Sequence, residues 1–133
     1  MKVVFDTNIY ISAFAIPGGK AEEAYLLALQ GRFQLITSVA ILTETAATLQ
    51  SKFEWSAEKT ERLISHLSRV TDVLRTQPHL HILSDEPDNR ILECGVQAQA
   101  DRIVTGDRPM LALKHYENST IVSLSGFLQE IHL

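Results

Sequence analysis

The feature that most constrains this chain is a regular change of period along it. Short β-branched or apolar runs occur at "KVVF" (2–5), "QLIT" (34–37), "LHIL" (80–83), "RIVT" (102–105) and "TIVS" (120–123). Longer stretches with helical spacing lie between them. In "SVAILTETAATLQ", Ser38 sits where an N-cap belongs, and Val39, Leu42, Ala46 and Leu49 recur at helical intervals. Leu63, Leu67, Val70 and Leu74 share one face across 57–75, a stripe that suits either the core or a partner surface. The run "DNRILECGVQAQA" opens on Asp88 and carries Ile91, Leu92, Val96 and Ala100 inward. Strands alternating with helices of this length predict an α/β fold, a parallel sheet with both faces covered. No repeat, low-complexity tract or linker interrupts residues 1–133, so one domain is expected.

The same residues exclude some functions. No apolar run approaches the roughly 20 residues of a membrane span. The chain starts directly on a strand-like segment, which predicts no signal peptide, and the single Cys94 cannot form an internal disulfide. A soluble cytoplasmic protein is expected. The net charge of −4 argues against a bulk electrostatic grip on nucleic acid. Any such role needs a local site with bound cations.

The acidic residues fall in a pattern. In an open α/β sheet, ligands bind beyond the carboxyl ends of the strands. Asp6 ends the first strand, and Asp107 in "IVTGDRP" follows the fourth. Asp88 follows the third after a short loop, and Glu44 lies one to two turns into the helix after the second. The handedness of parallel βαβ units puts all four on one rim. Carboxylates drawn together repel, and some must take up protons unless a cation relieves them. An oxygen-only ligand set points to Mg²⁺ or Mn²⁺, one or two ions, rather than zinc. Such an ion activates water and stabilises charge on a phosphate. Taken singly, Glu44 also reads as a solvated helix residue, Asp88 as an N-cap and Asp107 as a turn residue before Pro109.

These stretches resemble the PIN-domain family. "VVFDTNIYISA" is similar to its opening strand, "TSVAILTETAATL" to its second acidic element, and "DNRILECGVQAQADRIVTGDRPML" to its third and fourth. The resemblance implies a three-layer α/β/α sandwich around a five-stranded parallel sheet of order 3-2-1-4-5. It implies Mg²⁺- or Mn²⁺-dependent RNA cleavage and, for single-domain members of this size, a VapC-like toxin with a cognate antitoxin and a homodimer. Carried over by position, Asp6, Glu44, Asp88 and Asp107 match the acidic quartet, and Asn8, Thr105 and Ser38 the supporting polar positions. Related members read D-P-D-D-N where this chain has "DEPDN" (85–89), so Asp85 and Glu86 stand as alternatives to Asp88. Asp6, Asp88 and Asp107 would hold the ion, with Glu44 ligating it through water or orienting the attacking water, cutting single-stranded or looped RNA.

Other residues carry weaker signals. Arg90 and Arg108 flank the later acids and suit either phosphate contact or charge balance. Glu93 reads as an exposed helix glutamate, with reach to the metal region through water as the lesser alternative. "HLH" (79–81) supplies two imidazoles, too few for zinc. Phe53 and Trp55 read as packing or subunit contacts, and Cys94 as a buried inert thiol. Two rival functions remain open. One is a non-catalytic protein-binding module of the same fold. The other is a Mg²⁺-dependent phosphatase with Asp6 as nucleophile, although Asn8 stands where that chemistry wants a second aspartate.

Overall fold

The computed structural model describes residues 1–133. In chain order the elements are β1 (Lys2–Phe5), α1 (Thr7–Ala15), α2 (Lys20–Leu29), β2 (Gln34–Ser38), α3 (Val39–Phe53) and α4 (Ala57–Val70). Then come β3 (Asp72–Leu74), α5 (Glu86–Ala98), β4 (Arg102–Val104), α6 (Arg108–Leu113), β5 (His115–Tyr116), β6 (Ser119–Val122) and α7 (Leu124–Ile131). The sheet order is β3-β2-β1-β4-β6-β5. Its first five strands are parallel, which is the expected 3-2-1-4-5 arrangement with β6 in the fifth place. The two-residue β5 adds an antiparallel edge that sequence reading did not foresee.

The third strand is not where the sequence suggested. Residues 80–83 form no strand, and β3 is instead Asp72–Leu74, the tail of the segment read as helical. Thr71 turns extended and ends α4, while Leu74 keeps the spacing of the apolar stripe without belonging to the helix. The backbone N–H groups that a strand at 80–83 would need to pair are already taken. Glu93 accepts from Leu80 N, and Asn89 Oδ1 accepts from Ile82 N and Leu83 N. Side chains of α5 therefore hold this segment as a pinned loop.

Consecutive residues Val3, Val4 and Phe5 are all fully buried. Because successive side chains in a strand point to opposite faces, both faces of the sheet are covered. Around Phe5 lies an aromatic cluster of Tyr10, Phe33 and Phe127, with Phe33 and Phe127 edge-on at 5.0 Å. On α5, Gly95 approaches the sheet so closely that a Cβ there would lie 2.8 Å from Ile103 Cδ1. Leu63 and Leu67 of α4 are buried, so the 57–75 stripe serves the core at those positions; Val70 is largely exposed. Cys94 is fully buried and burial pushes its thiol up to about 12, so it is inert as expected.

Candidate active site

Asp6 lies one residue beyond β1, yet its N–H still donates to Val104 O at 2.9 Å. The ladder between β1 and β4 thus fixes its backbone. It also caps α1, its Oδ1 accepting from Asn8 N at 3.1 Å. Its Oδ2 accepts from the Thr105 hydroxyl at 2.5 Å. The same Thr105 oxygen accepts from Asp107 N at 3.0 Å, so one buried hydroxyl joins the first acid to the fourth. Asp107 caps α6, with Oδ2 accepting from Met110 N at 3.1 Å, and is half-buried.

Asp88 lies within the first turn of α5 rather than at its cap, which is Asp85. It is buried, and its Oδ2 is sealed from solvent with no hydrogen-bond partner. Two ionised carboxylates have acceptors only, so Asp107 can bond Asp88 only while one of the pair keeps a proton. Glu44 is half-buried on α3 and also unpaired. None of Asp6, Glu44, Asp88 or Asp107 forms an ion pair with a basic residue; the ion pairs of the molecule lie elsewhere.

The proton equilibria reflect this crowding. Burial pushes Asp88 up to about 7, with Asp107, Asp85 and Asp6 adding to it. Burial also raises Asp6 above the usual carboxylate range; the Thr105 and Asn8 hydrogen bonds pull it down, and the charges of Asp107 and Asp85 push it up. Asp6 and Asp88 thus each feel the charges of Asp107 and Asp85.

Asp6, Asn8, Glu44, Asp85 and Asp88 line a cleft of about 290 Å³, with Thr48 and Lys52 on its α3 wall. Asp107 acts on it from the side. Of the alternatives for the third acid, Asp85 is exposed and faces the cleft beside Asp88. Glu86 instead faces His81 and Arg90, at 3.5 and 3.4 Å. Ser38 does not line the cleft. It is fully buried and caps α3 through Ile41 N, thereby setting the helix that carries Glu44.

The arginines divide. Arg90 is held by Glu93, with Nε 2.7 Å from Oε1 (a charge contact whose N–H is out of line for a hydrogen bond), and it donates to Leu80 O at 3.1 Å. Its guanidinium is committed to holding the 80–83 loop on α5. Arg108 is exposed beside Asp107. Glu93 is the opposite of the exposed glutamate expected: it is 2% exposed. Burial works against its charge, but the N–H groups of Leu80 and His79 and the Arg90 guanidinium offset this and hold its pKa low. Its charge is therefore structural. The imidazole of His79 bonds Gln77 O, and the histidines converge on no site.

Sequence reading missed Lys52 and Thr48. The signal was present, since Glu44, Thr48 and Lys52 follow one another at intervals of four along α3 and so track one side of the helix.

No three His, Cys, Asp or Glu side chains close on one point as a ready-made metal cage. Mg²⁺ needs no such cage, since it keeps several waters and takes one or two carboxylates directly. Unpaired acids, all oxygen donors, and the orphaned Asp88 Oδ2 fit such an ion.

The PIN domain profile matches residues 2–109. The chain is 26% identical over 118 residues to the uncharacterized protein MJ1680 of Methanocaldococcus jannaschii, covering 86% of this chain and 76% of that protein. It is also similar in structure, at a TM-score of 0.61 and 17% identity, to a chain in the crystal structure of VapBC2 from Rickettsia felis bound to a DNA fragment from their promoter. That match covers 92% of this chain and 98% of the other.

Proposed function

The chain belongs to the PIN domain family, and from that premise we propose that it is a divalent-metal-dependent ribonuclease, the toxin of a toxin–antitoxin pair. The observation that carries the reading is a cleft of carboxylates with no basic partner and one sealed oxygen without a donor. Such a cluster is costly unless a cation enters it. Asp6 and Asp88, with Asp107 beside them, are the residues to hold Mg²⁺ or Mn²⁺. When bound, the ion supplies an activated water and relief of the charge that builds on the phosphate oxygens.

The chain's own groups do the rest. Thr105 and the Asn8 N–H fix both oxygens of Asp6, so its orientation does not depend on the ligand. Glu44, half-buried and unpaired on the cleft wall, would orient the attacking water and accept its proton. In-line attack forms the new P–O bond as the bond to the 3′-oxygen breaks, leaving a 5′-phosphate and a 3′-hydroxyl. The exposed Arg108 is a candidate phosphate contact at the rim. The covalent phosphatase route fares worse, because Asp6 is 3% exposed and both its oxygens already accept hydrogen bonds.

Single-stranded or looped RNA suits a narrow acidic cleft, since its phosphates can be splayed into reach. The likeness to a VapBC2 chain supports an antitoxin partner, and a cytoplasmic homodimer belongs to the same reading. The test incubates wild type and Asp6→Asn with structured RNAs in Mg²⁺, Mn²⁺ or EDTA. Cleavage is expected only from wild type with metal; equal cleavage by the variant would sink the assignment. Growth arrest on expression, relieved by Asp6→Asn, tests the toxin role.

A further inference from the structure

We infer that Lys52 binds a phosphate of the RNA flanking the one being cut, and so sets how the strand lies across the cleft. The inference rests on the nuclease reading and deepens it. Lys52 is a cation on the wall of an acidic cleft, yet it pairs with none of the carboxylates around it. An exposed ion pair gains little over two solvated charges, so nothing holds the Lys52 ammonium to a neighbouring acid. Here its charge remains available for a ligand.

Its position selects the ligand group. Lys52 stands eight residues beyond Glu44 on α3, about 12 Å along the helix axis. That offset exceeds one backbone linkage of RNA, so a strand whose scissile phosphate meets the acids of the cleft carries a flanking phosphate along the α3 wall toward Lys52. Thr48 between them adds a hydroxyl on the same wall. Lysine suits this task as a flexible point charge; of the two arginines nearby, Arg90 is consumed by Glu93 and Arg108 stands at the opposite, Asp107 side. The rival role is purely structural: Lys52 lies in the last turn of α3, where a cation favours the helix dipole.

The two roles separate in a binding experiment. A fluorescent single-stranded RNA is titrated in Mg²⁺ at graded salt with Asp88→Asn protein, which leaves it uncut, and with the same protein carrying Lys52→Gln. Losing a phosphate contact should weaken binding several-fold and lower the salt slope by about 0.7, the value for one phosphate of a single strand. Lys52→Arg should restore both. In otherwise wild-type protein, Lys52→Gln should raise KM with little change in kcat. Calorimetry with Mn²⁺ alone should show affinity unchanged or tighter, since a repelling charge has gone. Unchanged RNA affinity and slope, with any effect confined to thermal stability, overturns the inference while wild-type cleavage leaves the nuclease reading intact. A wild type that neither binds nor cuts RNA in metal overturns both.

Discussion

Asp88 combines a pKa pushed up to about 7 with an oxygen that no donor reaches. In the unfolded chain this group ionises near 3.8. Between those two pH values the native state holds the extra proton, so metal-free stability falls as pH rises from about 4 to 7 and stays low above. Asp88→Asn should therefore stabilise the metal-free protein at pH 8 and flatten its pH profile in urea titrations, while abolishing cleavage. A variant that is both dead and sturdier marks a residue kept for chemistry rather than for folding. Thr105 works the other way. Thr105→Val removes the hydroxyl that serves both Asp6 and the Asp107 N–H, and should cost about 1–3 kcal/mol as well as most activity.

Elements set where these side chains arrive, and they were legible to different degrees. β1, β2, β4 and β6 were plain, because buried parallel strands read as short apolar runs. With them came the positions of Asp6 and Asp107. The third strand was hidden, because a three-residue edge strand carries little pattern and Leu74 continues the α4 spacing by coincidence. The false strand at 80–83 had the right composition but no free ladder. What pinned it, Asn89 and the Glu93–Arg90 pair, acts through contacts that no local pattern in the sequence reveals. Asn89→Ala should loosen this loop, seen as faster amide exchange at Ile82 and Leu83, and weaken metal binding by freeing Asp85 and Asp88. On the other flank of α5, Gly95→Ala should destabilise by about 1–3 kcal/mol, because Ile103 must move to admit the methyl.

The whole molecule is a scaffold for one crowded rim, and its stability should follow what occupies that rim. Adding Mg²⁺ or Mn²⁺ to the metal-free protein should raise Tm in proportion to the logarithm of metal concentration, and EDTA should reverse it. Asp6→Asn should blunt the response, as thermal scans would record. The outer borders of the sheet tell a different story. On one side β3 is three residues long and bears an exposed Asp72; on the other β5 is two residues long and folds back antiparallel. Neither border offers a run of open backbone long enough to template a neighbouring chain. The architecture therefore refuses to extend itself as a continuous ribbon from either end.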